Sequence, residues 1–229
     1  MKKYLTCVII FLSFVLQSCT TDADDDSDNW DASVVCPETG TNSYGMPNRG
    51  TFTDERDGQV YKYTTIGNQV WMAENLRYDA EYSECNEVFE GFCEIFGRYY
   101  TLAKDGKFSG PLDTSFSNHV CPKGWHVPEK DEWEVLFKNM GENDKLVATR
   151  LKSETYWGVA RGIGVDLCSF SVLPAGGLGE DKEYDFFLYA ASFVVNSNFS
   201  DSFYGLYGFE TGITFISSMH KTSVRCLKD

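Results

Sequence analysis

The feature that most constrains the fold of this chain is its set of eight cysteines. Six of them lie beyond residue 30, and these are Cys36, Cys85, Cys93, Cys121, Cys168 and Cys226. An even number of cysteines in an exported chain is typical of a disulfide framework, and six cysteines allow fifteen connectivities. A metal site is the alternative, but the sequence contains no C-x-x-C pair and no closely spaced histidines. We therefore predict a fold that is held together by three disulfides.

The N-terminus predicts export and a lipid anchor. Two lysines precede an apolar stretch over residues 5–16, which is the pattern of a secretory signal and is too short to span a bilayer. Leu16, Ser18 and Cys19 are typical of a bacterial lipoprotein cleavage site, after which Cys19 would carry acyl chains. A short buried helix, or a simple secretory signal with Cys19 as an ordinary thiol, is the alternative interpretation.

An acidic segment follows the predicted acylation site. Residues 20–31 contain almost no apolar side chains, and such a segment cannot offset the entropy that is lost on ordering. We therefore divide the chain into a signal peptide over residues 1–18, a tether and loop over 19–47, and a domain over 48–229. The acidic segment is similar to lipoprotein surface-export signals. We expect a lipid-anchored protein of the outer membrane that faces the cell exterior.

The charge of the chain narrows the classes of partner. The formal net charge is −14, which argues against nucleic acid because few cations are available to neutralise phosphates. The same charge argues against electrostatic binding to anionic lipid, so membrane attachment would rest on the lipid anchor. An acidic surface is compatible with neutral glycans, divalent cations or basic partners.

Periodicity predicts an α+β domain with few helices, short antiparallel strands and long loops. Asp57-Gly58 lies between two β-prone runs, over residues 51–54 and 60–66, which is the strongest short hairpin signal. A helix that ends at Gly141 is predicted by apolar residues at i, i+3, i+4 and i+7, which are Trp133, Leu136, Phe137 and Met140. A shorter helix is expected within residues 144–152.

Several motifs resemble one family of exported bacterial proteins. In chain order they are IGNQVWMAENL over 66–76, GRYY over 97–100, CPKGWHVP over 121–128, LPAG over 173–176 and SVRCLKD over 223–229. On these motifs the chain resembles the Fibrobacter succinogenes major paralogous domain family over about residues 48–229. The resemblance implies a C-type-lectin-like fold with long loops, and it implies no established activity.

The resemblance also bears on the cysteine pairing. Cys85 and Cys93 bracket a short acidic loop, so we expect them to pair. A disulfide between Cys121 and Cys226 is the long-range bridge expected of a lectin-like fold. The pair Cys36–Cys168 is then left by elimination.

The candidate ligand-binding residues lie between the shared motifs, which themselves are expected to form core and turns. Aromatic rings beside carboxylates suit glycans, because rings stack on C–H faces while polar groups bind hydroxyls. The candidates are Trp157, which we expect to be an exposed anchor, and Tyr156, Tyr184, Asp185 and Tyr204. The alternative interpretation is that most of these rings belong to the core.

Together these observations predict a lipid-anchored cell-surface binding or adhesion domain for a glycan or a protein partner, without a cofactor or a metal. A non-catalytic scaffold component of a surface assembly is the alternative. An enzyme related to sulfatase-modifying-factor domains is a third hypothesis, with Cys168 as a free thiol. We expect no enzyme, because motifs of nucleophilic, zinc-dependent and nucleotide-dependent catalysis are absent from the sequence.

Overall fold

The computed structural model describes residues 29–81, 83–101, 119–157, 164–178, 184–196, 203–207, 213–216 and 221–229. For residues 184–185, 203–207 and 214–216 we describe the backbone alone. The helices are α1 (Ala32–Val35), α2 (Phe92–Phe96), α3 (Lys130–Met140) and α4 (Asp144–Leu151). Within the described ranges, none of the helices is long and apolar enough to cross a membrane.

The first of two five-stranded sheets contains β1 (Arg49–Thr53), β2 (Val60–Ile66), β3 (Gln69–Met72), β5 (Trp125–His126) and β12 (Leu227–Lys228). Its spatial order is β1-β2-β3-β12-β5, and every neighbouring pair is antiparallel. The last strand in the sequence thus lies between two earlier strands, which holds the end of the domain inside the sheet.

The second sheet contains β4 (Tyr99–Tyr100), β8 (Ala190–Val194), β9 (Phe203–Tyr207), β10 (Ile213–Ile216) and β11 (Thr222–Ser223). Its order is β10-β9-β8-β11-β4, with β8 and β11 parallel and the other pairs antiparallel. A separate ribbon pairs β6 (Gly177–Leu178) with β7 (Tyr184–Asp185). Few helices among short, mostly antiparallel strands confirm the predicted α+β class.

The predicted hairpin is confirmed as β1 and β2. Gly58 has a φ of +76°, which an L side chain rarely adopts, and this explains the glycine at the turn. A second turn at Gly67, with a φ of +57°, leads from β2 into β3. These two tight turns set the register of the first three strands.

The predicted helix is confirmed as α3, and its apolar face forms the centre of the core. Trp133, Leu136 and Met140 are fully buried, and the Trp133 ring lies 4.8 Å from the ring of Trp71 in β3. The second predicted helix is confirmed as α4, where the Asn143 side chain accepts hydrogen bonds from the first backbone N–H groups.

Three disulfides connect Cys36 with Cys168, Cys85 with Cys93, and Cys121 with Cys226. These are the pairs that the sequence predicts. Because Cys168 is bonded, the hypothesis of a free thiol at that position is wrong. The Cys36–Cys168 bond ties the segment after α1 to the irregular loop over residues 164–171.

A buried arginine joins the first and the last of the shared motifs. Arg225 is 0% exposed, and its Nη2 donates to Oδ1 of Asn75 at 2.8 Å, while its Nη1 donates to the carbonyl of Phe170. Burial lowers the pKa of Arg225 to about 9. Asn75 in turn donates to the carbonyl of Phe96 at 2.8 Å, so this polar pair positions α2 relative to the core.

Candidate binding surface

Bulky apolar side chains are exposed together on one part of the surface, which we call the aromatic patch. Its members are Val88, Phe89, Ile95, Tyr156, Phe186, Leu188 and Tyr189. Their exposed fractions range from 38% at Leu188 to 55% at Val88. Contiguous exposed apolar surface of this kind marks an interaction site more often than isolated residues do.

Aromatic rings beneath the patch connect its members to one another. Phe96 lies at the centre, with its ring 5.0 Å from Tyr156 and 5.3 Å from Phe187. Phe187 also contacts Phe89 at 6.4 Å and Phe92 at 5.4 Å. The loop that precedes α2, the segment after α4 and the turn before β8 therefore share one aromatic cluster.

The backbone that presents the patch is strained at three bulky residues. Tyr156, Phe186 and Leu188 have φ values of 70°, 60° and 64°. A positive φ is uncommon for any side chain other than glycine and is a true outlier for bulky ones. Such strain persists when the surrounding fold imposes it, and it concentrates at functional sites.

A cleft of about 480 Å³ adjoins the patch, and we call it the polar cleft. Ile95 of the patch lines it, and so does Thr155, which directly precedes Tyr156. The polar side chains of its lining are Lys62, Glu74, Ser153, Glu154, Thr155, Asp166, Ser169 and Ser171. An exposed tyrosine thus directly follows a residue of a concave surface rich in hydrogen-bonding groups.

The floor of the polar cleft is a strained loop that centres on Asp166. The φ values of Asp166, Ser169 and Ser171 are 43°, 53° and 54°. Oδ1 of Asp166 accepts the Ser171 amide at 2.7 Å, and its Oδ2 accepts the Ser171 hydroxyl at 2.5 Å. Burial raises the pKa of Asp166, although both hydrogen bonds act in the opposite direction. Across the described residues, the six non-glycine positions with positive φ all belong to the patch or the cleft.

The opposite wall of the polar cleft comes from β2 and the segment after β3. Oε2 of Glu74 accepts the backbone N–H of Lys62 at 2.6 Å, and its Oε1 lies 3.4 Å from Nη1 of Arg77. These contacts hold the Glu74 carboxylate at the cleft. Glu154 is exposed at the rim.

The expectation that Trp157 is an exposed anchor is wrong. Its side chain is only 6% exposed, and its indole Nε1 donates to the carbonyl of Val172 at 2.8 Å. The ring packs with the core residues of α3 and α4 and receives the Lys152 ammonium 4.8 Å from its centroid. Neither Tyr156 nor Trp157 belongs to a periodic apolar pattern, so the sequence could not distinguish which of the two rings is buried.

Of the other predicted ligand-binding residues, Tyr156 is exposed and lies in the patch. Tyr184 and Asp185 form β7, and Tyr204 lies in β9, but their side chains are outside the description. Cys19 and the acidic segment up to residue 28 lie outside the described residues.

Sequence reasoning missed the contribution of the loop closed by Cys85–Cys93. Val88 and Phe89 lie inside this loop and Ile95 follows it, and all three are exposed. The available signal was the presence of apolar side chains in a short loop that is closed by its own disulfide. Such a loop has no room to bury them within itself.

A second polar cluster lies at the junction of β5, α3 and the C-terminus. The His126 Nδ1 is 2.8 Å from Oδ1 of Asp229, and its Nε2 is 3.1 Å from both carboxylate oxygens of Glu132. The hydrogen bond with Glu132, together with Asp229, raises the pKa of His126. Glu132 also accepts the Glu129 amide at 2.8 Å, so this cluster stabilises the start of α3.

The position of these two carboxylates gives the His126 cluster a structural role. They contact opposite nitrogens of the imidazole, so both nitrogens are engaged in holding the ring. No group of three or more His, Cys, Asp or Glu side chains in the described ranges is arranged to hold a metal ion.

Comparison with known proteins identifies a single protein family. The family model described as the Fibrobacter succinogenes major domain matches residues 64–228 of the chain. No curated protein and no solved structure matches the chain. The matched range includes the residues of the polar cleft other than Lys62 and every residue of the aromatic patch.

Proposed function

The chain belongs to the Fibrobacter succinogenes major domain family, and from this premise we propose that it is a lipid-anchored surface protein that binds a glycan at the polar cleft. The observation that carries the proposal is the side chain of Tyr156, which is 48% exposed, has a backbone φ of 70° and directly follows Thr155 of the cleft lining. Exposed aromatic rings stack on the apolar faces of sugars.

The lining of the cleft supports a polyhydroxylated ligand. Serine and threonine hydroxyls both donate and accept hydrogen bonds, and carboxylates accept them from sugar hydroxyls. Ser153, Thr155 and Ser169 supply the first kind of group, and Glu154 supplies the second. The volume of about 480 Å³ lies within the range of small-ligand sites.

The location of the protein and its wider fold relationship belong to the same proposal. Cys19 is acylated and the acidic tether directs the protein to the outer face of the outer membrane. The domain has a C-type-lectin-like fold, a proposal that the short, mostly antiparallel strands and the long-range disulfide between Cys121 and Cys226 support.

Glycan-array screening tests the binding proposal. The protein is the full chain with Cys19→Ser, which removes the acylation site and keeps every other residue. For any glycan that binds, Tyr156→Ala is expected to weaken affinity by about 1–3 kcal/mol, as the loss of a stacked aromatic ring does. Glu154→Ala is expected to weaken it by a smaller amount.

Two substitutions outside the site serve as matched controls. Tyr44 is 43% exposed and Glu142 is also exposed, and neither lines the polar cleft. Tyr44→Ala and Glu142→Ala should leave affinity unchanged. Equal loss in Tyr44→Ala and Tyr156→Ala, or an array without any bound glycan, would contradict the proposal and favour the scaffold hypothesis.

Membrane fractionation and protease shaving of intact cells test the location. Cys19→Ala should release the protein from the membrane fraction. Replacement of Asp22, Asp24, Asp25 and Asp26 by alanine should leave it anchored but shielded from external protease. If this variant is still shaved, the export role of the aspartates is wrong while the anchor stands.

A further inference from the structure

Part of the aromatic patch does not line the polar cleft. Val88 and Phe89 lie in the loop closed by Cys85–Cys93, and Phe186, Leu188 and Tyr189 lie in the turn before β8. The Phe187 ring contacts Phe89 and Phe92, so it connects the turn to the loop. We call these five exposed residues the loop patch.

Carboxylates surround the loop patch. Glu87, Glu90 and Glu94 are exposed, and together with Phe89 they line a cavity of about 350 Å³ within the disulfide loop. Acidic side chains therefore border an apolar surface that is held in place by a disulfide.

Two described cations near this loop have carboxylate partners. Arg98, whose Nη1 lies 3.4 Å from Sγ of Cys85, also pairs with Asp79 at 2.6 Å. Lys221 is 4% exposed and pairs with Glu84 at 2.8 Å. Within the described part of the chain, neither of these two cations pairs with Glu90 or Glu94, and the exposed carboxylates give the described rim of the loop patch a negative charge.

The charge distribution around the loop patch indicates which kind of partner can bind there. In a symmetric dimer the same patch would face itself, and the glutamates of the two copies would approach one another at the rim. Juxtaposed like charges cost several kcal/mol across an interface, whereas complementary charges favour association. The apolar centre suits an apolar partner surface, and the acidic rim requires that surface to be bordered by cations.

We propose that the loop patch docks a protein segment whose apolar side chains are flanked by lysine or arginine. Phe89 and Phe186 contact the apolar side chains of the partner, and Glu90 and Glu94 pair with its cations. This site is distinct from the proposed glycan site, because none of its members lines the polar cleft. The two proposals therefore stand or fall separately.

Synthetic peptides provide the probe. The first is a short peptide of alternating leucine and lysine, the second has glutamate in place of each lysine, and the third has serine in place of each leucine. Binding to the full chain with Cys19→Ser is measured by fluorescence anisotropy at low and high salt. The affinity of the first peptide is expected to be at least about tenfold higher than that of either other peptide. Its affinity is also expected to be lower at high salt than at low salt.

Substitutions in the loop patch test whether the peptide binds there. The double substitution Glu90→Gln and Glu94→Gln should lower the affinity for the first peptide by about tenfold and remove most of the salt dependence of binding. Because both side chains are exposed, this variant should keep the parent melting temperature. Phe89→Ser should lower the affinity for the first peptide at all salt concentrations. The controls are Glu142→Gln and Val135→Ser, since Val135 is 47% exposed on α3.

Three results would overturn the proposal. Equal affinity for the lysine and glutamate peptides would indicate nonspecific hydrophobic binding. Unchanged affinity in the folded Glu90→Gln and Glu94→Gln variant would place the peptide elsewhere. A concentration-dependent dimer in sedimentation, abolished by Phe89→Ser, would make a second copy the occupant. Glycan binding measured on the same variants should not change, which separates this test from that of the polar cleft.

Discussion

The ring of Tyr156 packs edge-on against the ring of Phe96, with their centroids 5.0 Å apart. This contact joins the segment after α4 to α2, although the two residues are distant in the sequence. It also places an exposed tyrosine between the polar cleft and the loop patch. The two proposed binding sites are therefore neighbours that share one supporting aromatic cluster.

The first prediction concerns the adjacent tryptophan. Trp157→Ala should lower the free energy of unfolding by about 3–5 kcal/mol, because it removes a large side chain from the core and leaves the Val172 carbonyl without its indole donor. Chemical denaturation checks this value. Tyr156→Ala is the neighbouring control and should cost less than about 1 kcal/mol, since its ring is half exposed.

The second prediction concerns a buried lysine whose pKa is lowered by its burial. Lys152 is 3% exposed, and burial lowers its pKa from 10.5 to about 8. Below pH 8 the folded protein carries the charge at a cost, and this cost is relieved as the pH rises from about 8 towards 10.5. Stability should therefore increase over that range.

Substitution of Lys152 tests this cost. Lys152→Met should raise the free energy of unfolding at pH 7 by about 1–2 kcal/mol, because relief of desolvation exceeds the loss of about 0.5–1 kcal/mol from the contact with Trp157. It should also abolish the rise above pH 8. Lys221→Met is the matched control, since Lys221 is equally buried but paired with Glu84, and it should not stabilise the fold. A destabilised Lys152→Met variant would contradict the prediction.

The third prediction follows from the His126 cluster. The pKa of His126 is raised above 6.5, so its stabilising effect is complete below pH 6.5 and is lost as the pH rises through the folded pKa. Burial alone would raise the pKa of Glu132, but hydrogen bonds from His126 and Glu129 lower it below 4.5 overall. The contribution of Glu132 is therefore complete above pH 4.5 and is lost as the pH falls through the folded pKa.

The cluster should thus stabilise the protein most between about pH 4.5 and 6.5. His126→Gln should lower the free energy of unfolding by about 0.5–1 kcal/mol within that pH range and by less above it, as expected for a partly exposed ion pair. Melting temperatures across this pH series provide the measurement. An identical loss at every pH in His126→Gln would exclude a charge effect.

The fourth prediction concerns the small disulfide loop. Replacement of Cys85 and Cys93 by serine should lower the free energy of unfolding by about 2.6 kcal/mol, because the loop-closure entropy of the unfolded chain increases. The same replacement of Cys121 and Cys226 should lower it by about 4.8 kcal/mol. The domain should therefore remain folded without the short bridge. The loop patch should nevertheless lose its affinity for the leucine–lysine peptide, because Val88 and Phe89 are no longer confined. Retained peptide affinity would show that the bridge does not organise this surface.

Much of the local structure could be predicted from short patterns. The Asp57-Gly58 turn, the apolar face from Trp133 to Met140 and the stop at Gly141 each involve residues close in sequence, and each is confirmed. Glycine at a positive φ and apolar residues at helical spacing act through the backbone and one face of a helix. Such interactions do not depend on distant parts of the chain.

The binding surface could be predicted only in part. Sequence reasoning selected the segment that contains Tyr156 and named Tyr156 as a candidate, but it chose the buried Trp157 as the exposed anchor. It also assigned no role to Phe89, which comes from a loop far away in the sequence. Exposure at these positions depends on what the rest of the chain covers, and no local pattern reports that.

The sequence by itself determined α3, α4 and the hairpin of β1 and β2, because each rests on neighbouring residues, and it supplied the cysteines available for pairing. The export signal stays a prediction. Only the tertiary structure decided which aromatic ring is exposed, how α2 meets the segment after α4, and where exposed carboxylates border an apolar surface. The physical reason is that burial and electrostatic environment are sums over contacts from the whole fold. The ring of Trp157 is buried because Lys152, Val172 and the core surround it, while Tyr156 is exposed one residue away.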